Sequence, residues 1–212
     1  MPVAMAAGRV LSRLHQETCQ YHAAIDAPWV DVLATTAVRQ HYVAQLVRVY
    51  GFEAPLEAAF AYTQHLSMLV AIRPRQRAGL IVQDLLSLNV DSSQIAQIPE
   101  CTAITPFPSV ADALGWLYVA ERATRLYDVV RQHLIARQPD LADACAYLGA
   151  YGADRDARWR ELGEVLDELA RNVRIEEQVV DAARQGCLCA LAWFRRSEAQ
   201  PHMSAGARRT ST

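Results

Sequence analysis

A histidine and a carboxylate one helical turn apart are the first residues in this chain able to do chemistry. His22 and Asp26 lie four positions apart in a helix-forming stretch, which puts them on one face. A metal-ligating imidazole commonly gives its other ring N–H to a carboxylate or carbonyl, fixing the tautomer and ring orientation. His22 with Asp26 has that form, and the same spacing also suits a surface histidine beside a surface carboxylate. The other histidines are His15, His41, His65, His133 and His202, and they make no HExxH pattern. A di-iron carboxylate bundle needs Glu-x-x-His motifs on two helices, and none occurs. There is no glycine-rich phosphate loop and no GxSxG elbow.

Five cysteines, Cys19, Cys101, Cys145, Cys187 and Cys189, form no CxxC pair. An odd count without a metal-type spacing points to a reduced, cytoplasmic protein. Cys187 and Cys189 read as small buried residues of an apolar segment. Residues 1–8 lack a basic n-region and are short for a signal peptide. No apolar run reaches the roughly 18 residues of a membrane span. The net charge is −2, with 52% hydrophobic and 21% charged residues. This is the profile of a soluble globular protein, and no block of like charge suggests a nucleic-acid groove. All 21 basic residues are arginine.

The elements that must position these side chains are helices. Residues 9–26 carry Val10, Leu14, Thr18 and Tyr21, and Pro28 is expected to end the first helix. A second helix is expected from Thr35 or Thr36 to about Tyr50, interrupted at Gly51 and resumed over residues 52–72. Residues 75–88 form another helical run. Residues 98–108 contain Pro99, Pro106 and Pro108 and are the longest irregular segment. The central element follows. Leu114, Leu117, Tyr118, Leu126, Val129, Val130 and Leu134 recur at three- and four-residue steps, and Ser109 or Asp112 can start the helix. No glycine lies between Trp116 and Leu148, so the spacing predicts an unbroken helix over residues 109–134, close to 40 Å long. Shorter helices are expected at 140–151, 154–172 and 175–196. The organisation is one all-α domain of seven to nine helices over residues 11–196, with a short extension at 1–10 and a disordered Ser-, Ala-, Gly- and Arg-rich tail at 197–212.

Several stretches together resemble the bacterial heme oxygenases, in particular the type found beside bacterial phytochromes. They are Thr18-Cys-Gln-Tyr-His22-Ala-Ala-Ile-Asp26, Tyr50-Gly-Phe-Glu-Ala-Pro-Leu56-Glu, Asp84-Leu-Leu-Ser-Leu, Ala113-Leu-Gly-Trp-Leu-Tyr118-Val-Ala-Glu121, and Tyr151-Gly152 followed by Trp159-Arg160. The resemblance implies a single-domain heme oxygenase-like helical fold with heme held between two helices. It implies His22 as the proximal iron ligand, with Asp26 nearby. His15 stands where the family places a basic residue for a heme propionate. The helix carrying Tyr118, Leu126 and Tyr127 falls on the distal side of the heme.

The chain departs from the family after the Tyr-Val-x-Glu run, where the family reads Gly-Ser-x-Leu-Gly-Gly. Here the positions are Arg122, Ala123, Thr124, Arg125, Leu126 and Tyr127. Glycine there lets the helix bend close over the iron. Leu126 and Tyr127 are expected to fill the volume that an active relative leaves for oxygen. Two functions follow from the resemblance. One is oxidative opening of heme to biliverdin, carbon monoxide and iron, with heme as both substrate and cofactor and an external electron donor. The other is a degenerate relative that binds a tetrapyrrole or a protein partner, a phytochrome among the candidates, without turnover. In that reading Arg122 and Arg125 are expected to be available for contact.

Overall fold

Burial on all sides marks the helix that organises the chain. In the computed structural model, which describes residues 8–198, α6 (Val110–Ala123) buries every side from Ala113 to Glu121. A helix apolar all round belongs inside a protein. Its start was legible: the Ser109 hydroxyl accepts the Asp112 N–H at 3.2 Å and donates to the Asp112 carboxylate at 2.7 Å.

Around α6 stand α1 (Arg9–Ala34), α2 (Val38–Tyr62), α8 (Arg155–Leu169) and α9 (Val173–Glu198). The short helices are α3 (Leu66–Leu69), α4 (Ala78–Ser87) and α5 (Ser92–Ile95), and α7 (Tyr127–Arg137) continues the line of α6. Nine α-helices, four 3-10 segments and no strand occur among the described residues, so the chain is one all-helical domain. α6 crosses α9 closely at Gly115, where a Cβ would lie 2.4 Å from the Val179 carbonyl and 2.7 Å from Ala182. No helix of the described residues is long and apolar enough to cross a membrane. Of the extension expected at 1–10, Gly8 precedes α1 and Arg9 and Val10 belong to it, and of the tail expected at 197–212, Ser197 and Glu198 belong to α9; residues 1–7 and 199–212 lie outside the described residues.

Four local expectations are corrected. The first helix does not end at Pro28. It runs to Ala34, because Pro28, Trp29 and Val32 are all buried and tertiary packing outweighs the missing N–H. The second helix is likewise not broken at Gly51, and it carries Pro55 within it. Pro55 has no N–H to give the Gly51 carbonyl, and the Cys101 N–H takes that acceptor instead at 2.7 Å. A Cβ on residue 51 would sit 2.3 Å from the Pro99 carbonyl and 2.6 Å from the Trp193 ring, so glycine is what lets the loop close there.

The segment at 140–151 is a 3-10 turn, Pro139–Ala144, followed by turns. Its Ala146 and Tyr147 N–H groups bond to the buried Asp84 carboxylate at 2.8 and 2.9 Å rather than to the preceding helical turn. The central helix, finally, is interrupted. Thr124–Leu126 is 3-10. The Thr124 N–H bonds to the Glu121 carbonyl, and so does the Thr124 hydroxyl at 2.7 Å. The Ala120 carbonyl thereby loses its α-helical donor. The Arg77 guanidinium reaches it at 3.4 and 3.5 Å. No glycine is needed: a threonine and an arginine from another segment loosen the helix at the same place.

Candidate functional site

The residues singled out in the sequence divide between two places. His15, His22, Asp26 and Tyr118 lie where α1 meets α6. The Thr18 hydroxyl donates to the Leu14 carbonyl at 2.7 Å, so its proton is committed. It stands 2.9 Å from His22 Nε2 and 3.3 Å from the Tyr118 hydroxyl. His22 Nε2–H is therefore the donor to Thr18, and Nδ1 carries the lone pair. The His15 ring is exposed, 5.2 Å from that of His22. Burial, the Arg122 cation and His15 hold the His22 imidazole down to about 4, against an opposing pull from Asp26. The ring is neutral at pH 7.

Asp26 does not serve His22 as its hydrogen-bond partner. It takes a two-pronged contact from Arg122, with Nη1 at 3.0 Å and Nη2 at 2.5 Å. Both side chains are largely buried, so the pair fixes α6 to α1 across the face where heme was expected. Arg122 is thus not free for a partner. Arg125 is exposed, its guanidinium 5.5 Å from the centre of the Trp159 ring.

Tyr127 points elsewhere. It is fully buried, its ring edge-on to Trp29 at 6.0 Å and its hydroxyl in contact with that of Tyr147. Leu126 is half-buried and packs on the same core. From Tyr127 a buried polar network extends; Glu53, Glu121 and Tyr151 lie in the stretches quoted above, though none was singled out there as a site residue. The Tyr147 hydroxyl donates to Glu53 at 2.7 Å. Arg77 holds both Glu53 oxygens, at 2.8 and 3.1 Å. Tyr151 donates to Glu121 at 2.7 Å, and Arg75 pairs with the other Glu121 oxygen at 3.0 Å. Arg77 lies within 6 Å of the ring centres of Tyr127, Tyr147 and Tyr151. Burial pushes the Glu53 carboxyl up, while Arg77 and the Tyr147 hydroxyl pull it back. Three donors on two oxygens are the environment of a carboxylate, so we read the pair as ionised. Burial works against the Arg77 cation, and Glu53 with the three phenols outweighs it, so its pKa is raised. Burial drives the Tyr127 and Tyr147 phenols well above their ordinary range, so both stay protonated.

Glu53, Arg75, Arg77, Leu117 and Glu121 enclose a cavity of about 10 Å³. That is room for one water, whereas ligand pockets run to roughly 300–1,000 Å³. A groove of about 400 Å³ on the surface, lined by Tyr62, His65, Phe107 and Val110, includes none of the residues that the family resemblance places at the heme. Among the described residues no three His, Cys, Asp or Glu side chains are grouped to hold a metal ion.

No protein-family model matches the chain, and no curated protein matches its sequence. The fit of heme rests on the geometry alone, and it is poor. His22 Nε2 is tied to Thr18, and Arg122 bridges to Asp26 over the same face.

Proposed function

We propose that the chain is a heme oxygenase-like helical protein that has given up heme cleavage and acts as a binding module. The observation that carries this reading is the Arg122–Asp26 bridge. The first residue of the segment where the family resemblance expects glycines instead sends its guanidinium to α1. Two further features support it. Tyr127 is committed to a buried phenol–carboxylate network, and the helix beside it is loosened by Arg77 rather than by glycine. Tyr62, Met68 and Leu69 stand exposed at the end of α2 and on α3, beside the surface groove, and give a protein partner apolar surface to meet.

A second reading is favoured by His22 itself. Its imidazole is neutral at pH 7, the form that ligates iron, and Nε2 becomes a ligand once its bond to Thr18 breaks and its proton moves to Nδ1. In that reading a tetrapyrrole docks against α1 without being opened.

Titration of the purified protein with hemin, followed by ascorbate, separates these readings. No Soret band that depends on His22 and no biliverdin is the outcome expected. A His22-dependent Soret band without biliverdin selects the second reading. Biliverdin formation at enzymatic rates overturns both.

A further inference from the structure

We propose that Cys101 and Cys189 are a redox couple that closes into a disulfide joining the proline-rich loop to α9. The two sulfurs lie 3.8 Å apart, in contact, and both are free thiols. Their positions suit reaction. Cys101 is on the inner side of a surface loop, between the exposed residues Glu100 and Thr102. Cys189 is half-buried on α9, next to the exposed Leu188, so a small oxidant can reach it. The loop is held in register by the Cys101 N–H on the Gly51 carbonyl, which keeps the thiol aimed at α9. Closing the gap to a bond length of about 2.05 Å asks for an inward movement of under 2 Å.

The neighbouring cysteine does not compete. Cys187 is two residues away from Cys189, which is about 200° around the helix. Its thiol is buried beside Arg122 and Asp26 on the opposite side of α9. Burial and the adjacent Cys101 thiol hold the Cys189 thiol up at about 12. At neutral pH Cys189 therefore rests as a thiol, and closure is slow, on the scale of minutes to hours. The oxidant is a small-molecule disulfide. The Cys189 thiolate attacks one of its sulfurs and releases one thiol. Cys101 then displaces the second, so two protein thiols become one disulfide while one small disulfide becomes two thiols.

The test is equilibration of the whole protein in reduced and oxidised glutathione buffers, followed by alkylation, trypsin and mass spectrometry. Cleavage after arginine gives one peptide over residues 78–122, with Cys101, and one over 185–195, with Cys187 and Cys189. Fragmentation of the linked peptide then identifies the cysteine used. The expected result is a Cys101–Cys189 link that forms in oxidising buffer, reverses in reducing buffer and raises Tm by about 5 °C or more. Cys101→Ser and Cys189→Ser each abolish the link, while Cys187→Ser keeps it. No internal link in the wild-type protein at the most oxidising poise, a glutathione adduct alone, or a link through Cys187 overturns the proposal.

Discussion

Arg77 stabilises a break in a helix 43 residues further along, by donating to the Ala120 carbonyl that the break exposes. The same guanidinium holds both oxygens of Glu53. One side chain thus joins α2, the start of α4 and the point where α6 gives way to α7. Its charge is neutralised inside the protein by a single carboxylate, with three phenol rings around it.

Arg77→Met should consequently be among the more damaging single changes in the chain. It leaves Glu53 buried without its cation and the Ala120 carbonyl without a donor. The expected loss is about 3–5 kcal/mol, or roughly 10 °C in Tm. Arg77→Met combined with Glu53→Gln should be more stable than Arg77→Met alone, since no unpaired charge remains. Urea denaturation of the two variants checks both statements. A loss of under about 1 kcal/mol for Arg77→Met would show that the pair is not closed as described.

His22 sets a pH dependence with a definite sign. Its folded-state value of about 4 lies below the ordinary 6.5. The unfolded chain therefore takes up a proton first as pH falls. The stability from this residue is complete above about 6.5, is lost progressively between 6.5 and 4, and changes no further below that. Allowing for partial exposure, the effect is about 1–2 kcal/mol. Titration of the His22 ring by NMR reads the value directly, and His22→Gln should flatten the stability profile over that interval. A midpoint near 6.5 for His22 in the folded protein would contradict its contact with Thr18 and its nearness to Arg122.

Arg122→Ala opens the face between α1 and α6. Loss of the bridge to Asp26 should cost about 1–2 kcal/mol. It should also let the His22 value climb, because a neighbouring cation is gone. If the arginine is what keeps heme out, hemin should give a Soret band with this variant at concentrations where wild-type protein gives none. Equal hemin binding by both proteins would mean that the bridge is not the barrier.

Two glycines should respond in opposite directions to the same substitution. Gly51→Ala drives a methyl group against the Pro99 carbonyl and the Trp193 ring, at a cost of about 1–3 kcal/mol. Gly79, near the start of α4, has nothing within 4 Å of where its Cβ would be. Gly79→Ala should stabilise by about 0.5 kcal/mol. Thermal melts of the pair make the comparison, and destabilisation by Gly79→Ala would be the unexpected outcome.

The parts of the fold that local sequence determines were legible. The Ser109 cap, the apolar stripe of α6 and the irregular stretch around Pro99 to Pro108 all lie where spacing and residue type put them. Pro28 and Gly51 misled because the breaker tendency of proline and glycine is overruled by burial and, at Gly51, by close packing against Pro99 and Trp193 and a carbonyl that takes the Cys101 N–H fifty residues further along. The interruption at Thr124 was hidden for the same reason, since Arg77 is not a sequence neighbour. The candidate site was the least legible part. His22 and Asp26 stand where the helix puts them, yet Asp26 belongs to Arg122, 96 positions away. Glu53 and Tyr147 are 94 positions apart, and no local periodicity marks two such residues as partners.

The hydrogen bond from Cys101 to the Gly51 carbonyl has a consequence for how the chain folds. Pro55 leaves α2 with an unfilled acceptor in its interior, and the donor arrives only when the distant loop docks. Trp193 must also be in place, because its ring lies against Gly51 and its indole N–H bonds to the Arg48 carbonyl at 2.8 Å. The middle of α2 is thus completed by two later parts of the chain and cannot mature on its own. Its amides, with that of Cys101, belong to one cooperative unit whose hydrogen exchange proceeds through global opening rather than through local fraying.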